Sequence, residues 1–120
     1  MSSHLIAVTV DCRDADALAE FWREVLGYPK AERWPDSHGL TYVELKAPGR
    51  PSLLFQPVPE GKTVKNRLHL DIAPDTVEQR DEVARLVTLG AKVVEDPEND
   101  HWIVLKDPED NEFCVLPRRS

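Results

Sequence analysis

KAPGRPSLLFQP (residues 46–57) and KDPEDNEFCVLP (residues 106–117) are two versions of one pattern, about sixty positions apart. Each opens on a lysine, places a proline two residues on, alternates apolar residues through a short strand and closes on proline. Upstream, VLG (25–27) recurs as TLG (88–90), each closing an apolar-periodic segment that follows a strand. A period of half the chain implies two copies of one supersecondary unit; a solenoid would need three or more shorter repeats. Two such units are expected to share a cleft in which matching positions face each other.

The elements around the repeat support this division. LIAVTV (5–10) is rich in β-branched residues and reads as a strand. Asp14 is placed to cap the helix that follows, because its carboxylate can accept from the unpaired N–H groups of the first turn. Leu18, Phe21, Trp22 and Val25 then make one apolar stripe, and Gly27 ends the helix in the left-handed conformation. Strands are expected at 30–34, 40–46 and 52–56, punctuated by Gly39, Pro48, Gly49 and Pro51. The stretch from about 58 to 65 carries Pro59 and Gly61 and reads as a connector. The second copy begins with a strand at 67–73 and a cap at Asp75. A helix runs to Leu89 with Val83, Leu86 and Val87 inward, Gly90 stops it, and strands follow at 91–95, 101–106 and 112–116. The fold class is therefore α+β, two tandem βαβββ units of about 4–57 and 66–117 in one domain of 120 residues.

Composition narrows the function. Charged residues are 31% and hydrophobic residues 41% of the chain, as in ordinary globular domains. Fifteen basic and 22 acidic residues leave a net charge of −7, and Arg118-Arg119 is the one basic pair. Nucleic acid is a poor partner for such a surface. No apolar run approaches the length of a membrane span and no basic-then-apolar leader opens the chain, so a cytoplasmic protein without a membrane partner is expected. Cys12 and Cys114 lie far apart with no CxxC, which fits reduced, buried thiols.

LAEFWREVLG (18–27), KNRLHLD (65–71) and DPEDNEFCVLP (107–117) together resemble the vicinal oxygen chelate superfamily, the glyoxalase/bleomycin-resistance/extradiol-dioxygenase fold. The resemblance spans essentially the whole chain and is nearest to the small glyoxalase-like domains. It implies a curved mixed sheet forming a cup, with the helices on its convex side. Asp110 departs from the family, which has glycine there; a positive φ is expected at that turn, and aspartate tolerates it better than most side chains. Family enzymes hold a divalent metal with one side chain from the first strand and one from the last strand of each unit. The matching positions here are Ala7, Leu54, His69 and Cys114. Alanine and leucine offer no donor, so no metal or other cofactor is expected; Gln56, two residues beyond Leu54, would complete only a mixed set.

Strand alternation names the lining of the cup. Leu53, Phe55, Phe113 and Val115, with Thr41, Val43, Leu45, His101, Ile103 and Leu105, are expected to face the helices. Leu54, Cys114, Tyr42, Glu44, Trp102 and Val104 then face the cup, and Arg67, His69 and Asp71 share one face of the fifth strand, opposite Leu68, Leu70 and Ile72. The expected ligand-binding set is Trp34, Tyr42, Gln56, Arg67, His69, Trp102 and Cys114: aromatic walls with a few polar groups, the usual make-up of a small-molecule site.

Two functions follow. One is a metal-independent binding protein holding an aromatic or amphipathic ligand in the cleft between the units, as a homodimer, by analogy with the antibiotic-sequestering members. The other is a metal-dependent lyase, isomerase or dioxygenase, with Glu44 or Glu112 as base, or a metal-free enzyme in which His69 and Asp71 form an acid–base pair. The broken ligand quartet favours binding. His69 and Asp71 also have a plain alternative, a structural hydrogen bond, and Trp102 with Tyr42 could fill the cup.

Overall fold

The amphipathic stretch after the first strand forms α1 (Ala15–Leu26), and its caps are those the sequence indicates. In this computed structural model, which describes residues 1–35, 37–97 and 101–119, Asp14 Oδ1 accepts from the Ala17 N–H at 3.1 Å. Gly27 ends the helix at φ 66° and donates to the Arg23 carbonyl. Leu18, Phe21, Trp22 and Val25 are all buried. Each is worth about 1.5–3 kcal/mol of apolar burial, so this face, rather than helix propensity, holds α1 in place.

Two compact units divide the chain, Met1–Gly61 and Lys62–Ser120. The first contains β1 (Ala7–Cys12), α1, β2 (Lys30–Pro35), β3 (Thr41–Lys46) and β4 (Ser52–Pro57). Its four strands form one mixed sheet in the order β1-β4-β3-β2, with β1 parallel to β4 and the other pairs antiparallel. The second repeats the order with β5 (Leu70–Ile72), α2 (Gln79–Leu89), β6 (Lys92–Glu95), β7 (Ile103–Lys106) and β8 (Glu112–Val115), in a sheet ordered β5-β8-β7-β6. The βαβββ repeat is thus present in both halves.

Alternation follows the expected faces. Val43, Leu45, Leu53 and Phe55 in the first unit, and Ile103, Leu105, Phe113 and Val115 in the second, are buried. Leu54, Tyr42 and Glu44, and Val104 and Cys114, are half-buried on the opposite faces. Pairing also fixes the repeat register. Leu54 lies between Thr9 and Glu44 just as Cys114 lies between Asp71 and Val104. Ala7, within β1, stands two residues before Thr9, and His69, just ahead of β5, two residues before Asp71.

The second unit departs from the expected details in three places. The α2 helix starts at Gln79 behind Glu78, whose side chain makes no capping bond, so Asp75 is not the cap. Its inward stripe is Gln79, Glu82 and Leu86, while Val83 is half-buried and Val87 is 46% exposed. The two polar residues are tolerated inside because they are bonded: Gln79 Nε2 donates to the Val115 carbonyl at 2.8 Å, and Glu82 pairs with Arg85.

The fifth strand is shorter than expected, because the chain entering it is tied down by side chains instead of ladder bonds. The Asn66 N–H donates to Glu112 Oε1 and its side-chain amide to Asn111 Oδ1. Arg67, Leu68 and His69, all expected on the strand, consequently precede it, and Leu68 stands 85% exposed. Strand β7 begins at Ile103, which leaves His101 and Trp102 just ahead of it.

The turn before β8 is built around Asp107, which is buried. One of its carboxylate oxygens accepts from the Glu109 and Asn111 N–H groups at 2.9 and 3.0 Å. Asp110 is the one non-glycine residue among those described with positive φ, 68°, as expected from its place in the turn.

Candidate functional site

The parallel pairing of β5 with β8 decides what the second unit can offer a ligand. It sets Asp71 beside Cys114, and His69 lies two residues back along the chain, just ahead of the strand. His69 Nδ1 and Asp71 Oδ1 share a hydrogen bond of 3.0 Å. One donor atom from each of His69, Asp71 and Cys114 falls within 4.8 Å of the others.

These residues form part of the wall of a cavity of about 530 Å³ on the sheet face opposite the buried Phe113 and Val115. Val94, Trp102, Val104 and Leu116 supply its apolar wall, and Lys65, Glu95, Lys106 and Glu112 its charged margin. Trp102 remains 43% exposed, with its ring stacked on His101 at a centroid distance of 6.0 Å.

Electrostatics separates the titratable groups of this wall. Burial pushes the Cys114 thiol above its ordinary range, and the charge of Asp71 and its hydrogen bond to the thiol add to the effect. Glu112 behaves oppositely. Burial, the largest single influence, would raise its pKa, but the Asn66 N–H and Lys62, whose ammonium lies 3.0 Å from Oε2, outweigh it and bring the carboxyl down to about 2. A carboxylate that gives up its proton so readily is a weak base at neutral pH, so Glu112 does not suit that role.

The other sequence candidates fall elsewhere. Trp34 and Tyr42 are cross-strand partners on β2 and β3 and stack at 4.7 Å with 25° between their planes. Glu44, on β3, faces Glu32 across the strands, and Lys46 lies within 3.9 Å of the first and 3.4 Å of the second. Gln56 pairs with Asp11 on β1. These four belong to the first unit, whereas His69, Asp71, Trp102 and Cys114 converge on the cavity of the second. Arg67 is exposed and does not line that cavity. Sequence reading ranked Asp71 as a base and not as a metal donor; the signal available was its i, i+2 spacing from His69 on a strand parallel to the one carrying Cys114.

A family model described as a glyoxalase-like domain matches residues 7–116. The chain belongs to the glyoxalase-like domain family. With it comes membership of the vicinal oxygen chelate superfamily, in which solved structures share this fold. The fosfomycin resistance protein FosX of Listeria monocytogenes is 15% identical, with a TM-score of 0.76 over 100% of this chain and 94% of that one. A glyoxalase/bleomycin resistance protein/dioxygenase family enzyme of Burkholderia phytofirmans is 23% identical, with a TM-score of 0.64 over 94% of this chain and 97% of its own. Glyoxalase I of Leishmania major is 17% identical, with a TM-score of 0.70, over 96% and 86% respectively. No curated protein matches the chain. Among the described residues, no helix is long and apolar enough to cross a membrane.

Within this glyoxalase-like frame the family's metal quartet can be tested on the strands themselves. The pairing sets Leu54 beside Thr9 as it sets Cys114 beside Asp71, and neither Leu54 nor Ala7 has a donor atom. Among the described residues, the donors that stand together, His69, Asp71 and Cys114, all come from the second unit.

Proposed function

We propose that this glyoxalase-like domain binds a small molecule with an aromatic or amphipathic body in the cavity of its second unit, without the four-ligand metal centre of the family enzymes. The observation that carries the reading is the partly exposed Trp102 on the wall of a 530 Å³ cavity whose polar groups, His69 and Asp71, lie close together. Stacking and apolar contact with Trp102, Val94 and Leu116 would supply most of the affinity, and the polar pair would orient the ligand. The homodimer implied by the resemblance is part of the same proposal, and sedimentation of the purified chain tests it.

Anilinonaphthalene sulfonate, an amphipathic aromatic dye, is a suitable probe. Its binding is expected to quench tryptophan emission in the wild type, and Trp102→Ala is expected to abolish the response at an unchanged melting temperature. Quenching that persists in the folded variant would overturn the assignment.

A metal-dependent lyase, isomerase or dioxygenase is the second reading. One FosX structure holds Mn(II), and three donors stand together in this chain. Manganese chemistry suits oxygen and imidazole ligands, and Ala7 and Leu54 do not provide them. Binding remains the better supported of the two.

A further inference from the structure

We propose that His69, Asp71 and Cys114 form a binding site for a thiophilic divalent cation of the zinc class, built within the second unit alone. The inference rests on the proposed cavity as the ligand site and adds a cation to its wall. Three observations converge on it.

The first is donor type and distance. An imidazole nitrogen, a carboxylate oxygen and a sulfur atom lie within 4.8 Å of one another. Two donors on a tetrahedral zinc, at about 2.0–2.3 Å from the metal, stand roughly 3.3–3.7 Å apart. The pairing of Asp71 with Cys114 sets two of the three backbones side by side, and His69 already bonds Asp71 at 3.0 Å. Sulfur and imidazole select zinc, cobalt or nickel over magnesium, calcium or manganese.

The second is access and charge. The His69 and Asp71 side chains are 42% and 49% exposed, so a hydrated cation can reach them. Asp71 is paired with Cys114 across β5 and β8, and Glu95 also lies on the cavity wall. A cation placed between these groups offsets their negative field and stabilises the thiolate that binds it.

The third comes from the repeat, which carries its own reference. The first unit pairs Thr9 with Leu54 as the second pairs Asp71 with Cys114, and has alanine two residues before the threonine where the second has histidine two residues before the aspartate. The scaffold therefore does not require histidine, aspartate and cysteine at the matching places. All three positions carry donors in one copy, and in the other the only heteroatom is a threonine hydroxyl. Three protein donors leave a coordination position for a donor atom of the bound molecule or for water. This assigns the ligand a chemical class: an apolar or aromatic body carrying an oxygen, nitrogen or sulfur group that can coordinate.

Cobalt(II) titration of the reduced, chelator-treated full chain tests the site. One equivalent is expected to bind, with a near-ultraviolet sulfur-to-cobalt charge-transfer band and the visible bands of a tetrahedral ion, all lost on adding zinc(II). Cys114→Ser should remove the charge-transfer band, and His69→Ala and Asp71→Asn should each weaken binding more than about tenfold. Arg67→Ala, outside the cavity, should leave it unchanged. A wild type without the charge-transfer band, or a band that survives in Cys114→Ser, would overturn the site. Should Cys114→Ser fail to fold, Asp71→Asn decides, because its side chain is half-exposed and cobalt affinity unchanged in that variant is equally fatal. Dye quenching measured with chelator present separates this proposal from the binding reading: quenching without a cobalt site removes only the cation, and a cobalt site without quenching removes only the aromatic ligand.

Discussion

Glu112 ties two parts of the second unit together through its charge. It accepts from the Asn66 N–H and pairs with Lys62, joining the connector to the first residue of β8. Its side chain is only 11% exposed, so the pairing is less screened than a surface ion pair. Because its folded pKa of about 2 lies below its ordinary 4.5, the stabilisation is complete above about pH 4.5 and is lost as the pH falls toward 2. Denaturant melts across this range should show a loss on the order of 2 kcal/mol in the wild type. Glu112→Gln should lose a similar amount at neutral pH and show a flatter profile between those limits. A variant that follows the wild-type curve would mean that the Lys62 and Asn66 contacts contribute little. Asp110 illustrates the opposite case, in which sequence alone sufficed. Its place in a turn where the family has glycine announced the positive φ that the backbone adopts.

Elements differ in how openly the sequence displays them, and α1 and α2 show why. The α1 stripe is made of large apolar residues between an aspartate cap and a glycine stop, so propensity, pattern and packing agree. In α2 the buried stripe begins with Gln79 and Glu82, and only Leu86 follows the apolar rule. Ranking positions by hydrophobicity selects Val87, which stays exposed, because the polar residues that replace it inside are satisfied by groups distant in sequence. Gln79 bonds the carbonyls of Val115 and His101, 36 and 22 positions away, and neither bond can be read from local sequence. Strand β5 is shorter than its sequence pattern indicates for a related reason. The long-range bonds from Asn66 to Asn111 and Glu112 take over before the ladder begins, and they carry Arg67 out of the candidate site. The Gln79 bonds can be weighed directly. Gln79→Ala should cost about 1–3 kcal/mol, since it leaves the buried Val115 carbonyl without that partner. Glu78→Ala, at a cap that makes no side-chain bond, should cost under about 0.5 kcal/mol. Equal losses in the two variants, measured by urea denaturation, would contradict this account of the α2 face.

At the scale of the whole molecule the repeat turns one unit into a control for the other. The faces of β3, β4, β7 and β8 were legible in the sequence because alternation fixes them; the closeness of His69, Asp71 and Cys114 was not, because it depends on which strand lies beside β5. The same register makes a constructive test possible. If the fold supplies the geometry and the side chains supply the donors, installing the donors in the first unit should create a second cation site. Ala7→His, Thr9→Asp and Leu54→Cys, made together, place the same three residue types on β1 and β4, where Thr9 and Leu54 are already paired. Thr9 is exposed and Ala7 and Leu54 are half-buried, so none of the three changes introduces a charge into the core. Cobalt(II) should then bind with two equivalents instead of one, and the sulfur-to-cobalt band should double in intensity per chain. Adding Cys114→Ser to the triple variant should return the stoichiometry to one, now carried by the first unit. A folded triple variant that still binds a single equivalent would show that the register alone does not make the site, and that the cavity around Trp102 contributes something the three donors lack.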